Sequence, residues 1–554
     1  MNGEEQLAIW CSRKTSSWAI SWFETAGWSM RKVCQTKVRC QAPKHIPQHK
    51  SVPPPATQAP LHRPLPSPSG GLSETNRVTL RLHNTLTGAK EAFEPLEKGH
   101  VRMYTCGPTI WNYAHVGNLR SFLFYDLVRR HLRVSGYRVT HVMNLTDIDD
   151  RILDQAMHAG MSIGEYTKPY ATAFFEDMAA LRAERADHYP RATEHIPEMV
   201  EMIATLLERG NAYAADGDVY FRIASFPGYG ALSHLDRAGL RAGARVATDK
   251  YDKENVSDFA LWKKAQPEDE KIGAAWDAPF GRGRPGWHIE CSAMSKRYLG
   301  DTLDIHAGGV DLMFPHHENE IAQSEAANHQ QFARVWLHSE HLFDATGEKM
   351  SKSAGGFTTL RDLVEAGHDP LAIRFFLIAN AHYRSRLRLS SEALHAAAEQ
   401  VRRLREFFDR VERTPSAASD DEGLEQKTAA VRAAYREALD DDLNLPQGIG
   451  VVFDLIREAN AALDSDQVGP RNKASLLGLI DDVDAHLDVV RAEEPGLAEE
   501  VERLIGERES ARRARDFARS DQIRDDLRRR GIALEDSKAG VRWRRVAPTG
   551  AERS

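Results

Sequence analysis

Apolar and polar residues follow a strand–helix–strand pattern early in the chain. Val101 to Thr105 is a short apolar run, and Gly117 to Ser135 has apolar residues at the spacing of a helix. Tyr137 to Met143 is a second predicted strand that follows the helix directly. Two strands joined by one helix in this way form a parallel crossover. The pattern therefore predicts an α/β fold with a doubly wound parallel sheet, in which ligands bind at the carboxyl ends of the strands.

Later segments show other patterns. Short strands are predicted at Leu303 to His306 and at Trp336 to Phe343, and they belong to the second half of the sheet. Residues 186–283 lie between the two halves and are rich in turn-forming Gly and Asp, which indicates an insertion. From about Ser390 to Leu504 the pattern is helical, and Arg508 to Arg545 predicts an Arg-rich helix followed by short strands.

The 554 residues are too many for one hydrophobic core, so we expect several domains. The expected divisions are a leader at 1–78, the two halves of the sheet domain at 79–185 and 284–389, the insertion at 186–283, a helical domain at 390–505 and a small basic module at 506–554. Nine prolines fall between Pro43 and Pro68, so we expect the leader to be disordered. A transit peptide, which Glu4 and Glu5 disfavour, and a wrongly placed start codon are the alternatives.

Composition excludes some classes of protein. The chain has 42% hydrophobic and 28% charged residues, and no apolar run approaches the roughly 18 residues that span a bilayer. Its formal charge of −7 means that a nucleic-acid-binding surface must collect basic residues locally. Of five cysteines only Cys106 and Cys291 lie in the folded body, which is unlike a secreted disulfide framework. We therefore expect a cytoplasmic protein without membrane association.

His115, Gly117 and Asn118 stand at the predicted start of the first helix. An imidazole, a glycine that lets a phosphate approach the backbone, and the exposed N–H groups of a helix start together form an anion site. The alternative is a helix entry with a hydrogen-bonded histidine, which is the commoner explanation of this pattern alone.

A second charged segment runs from Gly347 to Gly356. Lys349 and Lys352 lie three residues apart among small hydroxyl residues and flanking glycines, as in a loop that closes over a triphosphate. Taken alone, a solvated surface loop explains the same residues.

Four side chains form a candidate metal set. His316 and Glu320 are four residues apart, and Pro315 suits the first position of a helix, so both side chains are predicted on one helical face. Cys106 and Cys291 add two thiolates, and a set of two sulfurs, an imidazole and a carboxylate suits Zn²⁺. Two buried free thiols and an unrelated pair on a helix are the alternative.

Together the motifs resemble those of a known family. Lys349 to Ser353, downstream of His115 to Asn118, resembles the paired signatures of class I aminoacyl-tRNA synthetases. That class usually has histidine where this chain has Asn118, which donates a hydrogen bond but carries no proton charge. The motifs that resemble the cysteinyl-tRNA synthetases in particular are Cys106 to Thr109, Asn144 to Asp150, Gly286 to Met294, Asp304 to Gly309 and Phe314 to Glu320. The resemblance runs from about Thr79 to about Arg545.

The resemblance implies a Rossmann-type catalytic domain with an inserted connective domain, a C-terminal helical bundle and a small mixed anticodon-binding module. It implies a ligase that activates L-cysteine with ATP, accompanied by Mg²⁺, and joins it to tRNA(Cys). It also implies one zinc ion per chain on Cys106, Cys291, His316 and Glu320. That ion would select cysteine over serine by binding the substrate thiolate.

Roles for other residues follow from the same resemblance. His115 and Lys352 are expected to be the main phosphate contacts, with Gly117, Asn118 and Lys349 in support. The resemblance also gives candidates for the cysteine pocket, namely Thr146, Trp287, His306 and Asp311. Each of these could equally be a packing residue or a polar residue at the end of a strand.

The C-terminal tail has the local excess of basic residues that the net charge conceals. Residues 501–554 contain 15 Lys and Arg against 10 Asp and Glu. An Arg-rich helix is often only a solvated face, but the resemblance favours anticodon binding. The candidate contacts are Arg512, Phe517, Asp521, Arg524, Asp536 and Trp543.

Two rival functions compete with this interpretation. A ligase that joins cysteine to an amino sugar, of the mycothiol type, would share the zinc site and both nucleotide signatures, but it has no use for an anticodon module. A non-catalytic tRNA-binding protein should lack a phosphate lysine or a metal ligand, and none is missing. We expect the protein to be a monomer.

Overall fold

The computed structural model describes residues 79–234, 258–344, 358–491, 495–513, 516–529, 532–537 and 540–545. These residues belong to one compact unit. The leader predicted at 1–78 lies outside them, as do Lys349 and Lys352. Within the described ranges, no helix is long and apolar enough to cross a membrane.

The elements are named here in chain order. The strands of the described residues are β1 (Arg81–Asn84), β2 (Ala89–Ala92), β3 (His100–Thr105), β4 (Arg138–Met143), β5 (Ala212–Ala215), β6 (Asp218–Phe221), β7 (Phe259–Lys264), β8 (Gly283–Pro285), β9 (Leu303–Gly309), β10 (Ala333–Ser339), β11 (Leu342–Phe343), β12 (Leu387–Arg388), β13 (Ile532–Ser537) and β14 (Gly540–Arg545). The helices are α1 (Val116–Val134), α2 (Asp150–Ala159), α3 (Ile163–Ala180), α4 (Ile196–Glu208), α5 (Pro267–Lys271), α6 (Trp287–Leu299), α7 (Glu318–Asn328), α8 (Leu360–Glu365), α9 (Pro370–Ala379), α10 (Ser391–Arg413), α11 (Glu422–Asp440), α12 (Leu445–Asp464), α13 (Pro470–Leu487), α14 (Pro495–Arg513) and α15 (Phe517–Arg529).

Four parallel strands form the central sheet, in the order β10-β9-β3-β4. β3 runs beside β4 with Val101 opposite Val139, and beside β9 with Met103 opposite Ile305. These side chains are buried, because helices including α1 and α6 pack on the strands. The predicted strand–helix–strand unit and its parallel pairing are confirmed. The carboxyl ends of all four strands therefore meet at one edge.

The last strand of this sheet differs from its prediction. The sequence predicts one strand over residues 336–343, but β10 begins earlier and ends at Ser339, and β11 pairs instead with β12. The buried guanidinium of Arg120 donates hydrogen bonds to the carbonyl oxygens of Glu340 (3.0 Å) and His341 (2.6 Å). Arg120 thus binds the backbone at the point where the chain leaves the central sheet.

The helix that carries Glu320 begins later than predicted. The sequence predicts Pro315 as its first residue, but α7 starts only after a π turn at Met313–His317. Phe314 has an extended backbone (φ −134°, ψ 132°), because a residue before proline is disfavoured in the helical region. His316 therefore belongs to the π turn, while Glu320 lies in the first turn of α7.

The region predicted as an insertion contains a sheet of its own. β5, β6, β7 and β8 pair antiparallel in that order. Gly286 then joins β8 to α6, and a Cβ atom there would lie 2.1 Å from the carbonyl oxygen of Ala260. Glycine thus allows β7 to approach the start of α6 closely. Most of the buried apolar side chains of this region belong to the same hydrophobic cluster as Cys291 of α6.

The helices after residue 390 attach to the sheet domain through buried charges. Arg374 of α9 is fully buried and donates to Asp126 of α1 (2.6 Å) and to the carbonyl oxygen of His486 in the last turn of α13 (3.2 Å). Arg130 donates to Asp126 (2.9 Å) and to Asp488 just after α13 (3.1 Å). We call the buried Asp126, Arg130 and Arg374, together with the partly exposed Asp488 that pairs with Arg130, the buried joint. Its two cations compensate the carboxylates and the negative end of a helix.

The last described elements have a small core of their own. α14 and α15 pack through Val501, Ile505, Ile523 and Leu527, and β13 pairs antiparallel with β14. The predicted helix followed by short strands is confirmed.

Candidate metal centre and nucleotide site

Four predicted ligands converge at the carboxyl edge of the sheet. The sulfurs of Cys106 and Cys291 are 3.9 Å apart, and Glu320 Oε1 lies 3.6 Å from Cys106 Sγ and 2.9 Å from His316 Nε2. One donor atom from each residue lies within 4.8 Å of the others, and all four side chains are buried. The structure thus brings together the four residues that the sequence singled out, from a strand end, α6, a π turn and α7.

A glycine shapes the loop after Cys106. A Cβ atom at Gly107 would lie 1.8 Å from the carbonyl oxygen of Asn144, and the Gly107 N–H donates to Asn144 Oδ1 (2.9 Å). A β-bridge between Thr109 and Thr146 continues this contact. The ends of β3 and β4 are therefore held side by side next to Cys106, which a larger side chain at position 107 would prevent.

Burial and mutual charge set the protonation of the cluster. Burial alone would raise the pKa of Glu320, but the imidazoles of His306 and His316 outweigh it and hold that pKa well below its usual value. Burial likewise opposes charge on His316, yet Glu320 and Cys291 raise its pKa to about 10. The pKa of Cys291 falls to about 6 despite burial, because Cys106 and His316 stabilise the thiolate. Burial keeps the pKa of Cys106 well above its usual value.

These charges fit a bound cation. A protonated His316 compensates a thiolate and a carboxylate, and a divalent ion held by the same atoms would replace that positive charge. The donor set of two sulfurs, one imidazole and one carboxylate oxygen fits Zn²⁺.

A second donor set overlaps the first, and the sequence reasoning missed it. Cys106, His306, His317 and Glu320 also have donor atoms within 4.8 Å of one another. His317 Nε2 lies 3.3 Å from Cys106 Sγ, and His306 Nε2 lies 2.7 Å from Glu320 Oε2. The available signal was the adjacent pair His316-His317, of which only the first has the four-residue spacing to Glu320.

Three of the four candidates for the cysteine pocket lie beside these ligands. The Trp287 ring stacks on the His316 ring with centroids 4.3 Å apart, and His306 contacts Glu320. Thr146 is buried in the segment that faces the loop after Cys106. Asp311 differs, since it is half exposed in the turn after β9 and belongs to neither donor set.

Glu290 is a further buried polar residue that the sequence reasoning missed. Its Oε2 accepts a hydrogen bond from the Thr146 hydroxyl (3.1 Å), and that hydroxyl accepts one from Asn144 Nδ2 (3.0 Å). Burial raises the pKa of Glu290 well above its usual value. Its place in the sequence, directly before Cys291, was the available signal.

His115 and Asn118 cap α1 together. His115 Nδ1 accepts a hydrogen bond from the backbone N–H of Asn118 (3.1 Å), and Asn118 Oδ1 accepts one from the backbone N–H of His115 (3.3 Å). The amide at position 118 thus completes a capping box. A Cβ atom at Gly117 would lie 2.9 Å from the His115 ring, so this glycine also makes room for the imidazole.

The chain returns to this helix start after the segment that carries the two lysines. The N–H of Val116 donates to the carbonyl oxygen of Thr358 (2.9 Å), and His115 forms a β-bridge with Thr359. Lys349 and Lys352 themselves lie outside the described residues.

The anticodon candidates lie on the C-terminal elements. Phe517, at the start of α15, is 62% exposed. Asp521 and Arg524 are exposed one turn further along and pair with each other at 3.3 Å. The remaining candidates are Arg512 on α14, Asp536 on β13 and Trp543 on β14.

Comparison with known proteins agrees with this geometry. Residues 92–399 match the model of the class I (C) tRNA synthetase catalytic domain, residues 434–484 match the DALR domain, and residues 494–544 match the cysteinyl-tRNA ligase anticodon binding domain. The cysteine–tRNA ligase of Solibacter usitatus is 48% identical and covers 84% of this chain and 100% of its own length. That of Leptospira interrogans is 45% identical with the same coverage, 84% and 100%. The chain belongs to the cysteine–tRNA ligase family.

A solved structure supports the fold. Methionyl-tRNA synthetase of Mycobacterium tuberculosis, in complex with methionyl-adenylate, has a TM-score of 0.53 at 15% identity and covers 71% of this chain and 91% of that one. The predicted class I synthetase fold is therefore confirmed. Of the rival functions, the amino-sugar ligase is not favoured, because the family match includes an anticodon binding domain. Membership of the cysteine–tRNA ligase family likewise makes the chain an enzyme, against the non-catalytic rival.

Proposed function

We propose that this chain activates L-cysteine with ATP to give cysteinyl-adenylate and pyrophosphate, and then transfers the cysteinyl group to the 3′ end of tRNA(Cys). The observation that carries the proposal is the convergence of Cys106, Cys291, His316 and Glu320 within 4.8 Å. They lie at the sheet edge where ligands of this fold class bind. Membership of the cysteine–tRNA ligase family supports the same reaction.

The proposal assigns one Zn²⁺ ion per chain to these four residues. When bound, zinc would supply a coordination position for the substrate sulfur as a thiolate, which a serine hydroxyl fills far less well. Neighbouring residues orient the ligands. Trp287 stacks on His316 and restricts its ring plane, and His306 binds Glu320 Oε2, which directs Oε1 toward Cys106.

The nucleotide site in this proposal lies at the start of α1. His115 and Lys352 are the main phosphate contacts, Gly117, Asn118 and Lys349 support them, and Mg²⁺ accompanies ATP. His115 Nδ1 accepts a hydrogen bond from the backbone N–H of Asn118, which fixes the imidazole at the start of this helix. The cysteine carboxylate attacks the α-phosphorus and the bond to pyrophosphate breaks, a step that depends on positioning and charge stabilisation.

Thr146, Trp287 and His306 line the proposed cysteine pocket, and Asp311 lies at its rim. The first three are supported by their contacts beside the metal ligands. Asp311 is supported by its position directly after β9, at the same edge of the sheet.

For tRNA, the proposal assigns the anticodon to the module at 506–554, through the six candidates already named. The proposal assigns the catalytic domain to residues 79–185 and 284–389, the connective domain to residues 186–283 and the helical domain to residues 390–505. The family matches at 434–484 and 494–544 support separate helical and anticodon-binding domains, and the separate antiparallel sheet of β5 to β8 supports the connective domain. A monomer in the cytoplasm completes the proposal, and two free buried thiols fit a reducing compartment.

ATP–pyrophosphate exchange tests the activation step. The purified protein should catalyse exchange with L-cysteine, and exchange with L-serine should be at least about 10³-fold slower. Metal analysis should find one zinc ion per chain. Equal rates with both amino acids would contradict selection through the thiolate.

Charging of a tRNA with anticodon GCA tests the transfer step. The cysteinyl group should appear on this tRNA and not on an amino sugar supplied in parallel. Exchange without charging would contradict the proposal and favour the amino-sugar ligase.

A further inference from the structure

Glu290 is a buried carboxyl group that none of the roles proposed above uses. Its side chain is 1% exposed. Oε2 accepts a hydrogen bond from Thr146, but Oε1 has no hydrogen-bond partner among the described residues. A buried polar atom without a partner is destabilising, so its retention needs an explanation. A ligand that binds beside the metal centre would provide one.

Glu290 directly precedes the proposed metal ligand of α6. Trp287 precedes Glu290 by three residues and Cys291 by four, so the Trp287 side chain neighbours both of them on the helix surface. Trp287 stacks on His316, and Cys291 lies 3.9 Å from the other proposed sulfur ligand. Glu290 is therefore next to the place where the substrate sulfur would bind.

The unpartnered oxygen of Glu290 favours a hydrogen-bond donor over an acceptor. The nearby carboxylates of Asp147 and Asp149 already pair with Arg191 (3.7 Å) and Arg151 (3.4 Å), so Oε1 is the acceptor that a ligand would satisfy. Two thiolates and a carboxylate on one divalent ion would leave a further net negative charge nearby. An ammonium group fits this environment, whereas a second carboxylate would be repelled.

We propose that Glu290 Oε1 accepts a hydrogen bond from the α-ammonium group of the substrate cysteine. This inference rests on the proposed function, which supplies both the substrate and the ion that holds its sulfur. Two carbon atoms separate sulfur and nitrogen in cysteine, so a molecule held by its sulfur beside Cys291 presents its nitrogen to the neighbouring residue. Glu290 is then a specificity residue that recognises the amino-acid group, while the metal centre recognises the side chain.

Two small thiols test this contact, because each is cysteine with one group removed. 3-Mercaptopropionate lacks the ammonium group and cysteamine lacks the carboxylate. Calorimetry on the zinc-containing full chain, in a thiol-free reducing buffer, measures the affinity of both and of L-cysteine. The proteins compared are the wild type, Glu290→Gln and the matched control Glu325→Gln. Glu325 is a carboxyl group of α7 that accepts a hydrogen bond from a backbone N–H of Phe332 (3.0 Å), away from the donor sets.

Glu290→Gln should lower the affinity for L-cysteine and for cysteamine by about 10-fold or more, because a hydrogen bond to the charged ammonium group is lost. The affinity for 3-mercaptopropionate and the zinc content should stay unchanged, and Glu325→Gln should change neither. If Glu290 had a purely structural role, the substitution would lower the affinity for all three ligands alike. If Glu290 contacted the substrate carboxylate instead, the affinity for cysteamine would not change. Either result would overturn the proposal.

If Glu290→Gln does not fold, the affinities of the wild-type protein for L-cysteine and 3-mercaptopropionate still test the proposal. The wild type should bind L-cysteine at least about 10-fold more tightly than 3-mercaptopropionate, and equal affinities would contradict the proposal. Failure of the proposed function looks different, since the wild type would then show no cysteine-dependent exchange at all.

Discussion

The metal centre and the C-terminal module place their candidate residues in opposite environments. In the centre, Cys291 is 1% exposed and Glu320 is fully buried, and the donors come from elements far apart in sequence. In the module, Phe517 is 62% exposed, and Asp521 pairs with Arg524 on the same helix. The donors of the candidate centre have their partners inside the protein, whereas the side chains of the module are exposed to solvent, as the proposed contact with tRNA requires.

This difference predicts two kinds of response to substitution. Each donor in the centre compensates the charge of another, so the loss of one disturbs the rest. Side chains on an exposed helix act nearly independently, and their effects should be confined to tRNA.

Cys291→Ser should have the largest effect. It removes a sulfur donor and leaves Cys106 and Glu320 without the proposed cation, so zinc content and cysteine affinity should fall together. We expect kcat/KM for cysteine in pyrophosphate exchange to fall by more than about 100-fold. Ser295→Ala on the same helix loses only a bond to a backbone carbonyl and should retain both properties. A metal-free Cys291→Ser protein with unchanged cysteine affinity would contradict selection through the thiolate.

Arg374→Met tests the buried joint, which connects the sheet domain to the helices that lead to the module. Burial would raise the pKa of Asp126, but Arg130 and Arg374 outweigh it and hold that pKa below its usual value. Removal of one cation should lower the free energy of unfolding by about 3–5 kcal/mol, measured with denaturant. Adding Asp126→Asn should recover part of the loss. An equal loss in the single and double variants would mean that packing, and not charge, is responsible.

Phe517→Ala should act on tRNA alone. If its ring stacks on an anticodon base, kcat/KM for tRNA should fall by about 5- to 150-fold, which corresponds to 1–3 kcal/mol per stacked base. Cysteine-dependent exchange should not change. Arg528→Ala, at another exposed position of α15, serves as the control. A parallel fall in exchange would show that the module affects the centre, against the contrast drawn here.

Asn118→Ala should have the smallest effect. It removes half of the capping box of α1, which costs about 1 kcal/mol of stability. Asn118→Asp retains the oxygen that accepts the His115 N–H, so it should retain this stability, while its charge should raise KM for ATP by repelling phosphate. Denaturant unfolding and exchange at varied ATP separate the two roles. If both variants lose stability equally, the capping interpretation is wrong.

Local patterns explain why much of the fold and of the site could be predicted. The strands and helix around Cys106 follow from apolar spacing over neighbouring residues. The four candidate metal donors follow from residue type and the spacing of His316 and Glu320, together with the family resemblance. The break after Ser339 could not be predicted, because Arg120 contacts carbonyl groups 220 and 221 positions away. His317 and Glu290 were missed for a related reason: whether a side chain faces the centre is decided by packing between distant elements, which spacing does not show.

The buried joint also determines where this protein can be shortened. A chain cut before α13 would leave the guanidinium groups of Arg374 and Arg130 without the acceptors at His486 and Asp488. A fragment that keeps the buried joint must therefore extend through Asp488. Any evolutionary loss of the anticodon module from such a chain should have its new terminus near the same point.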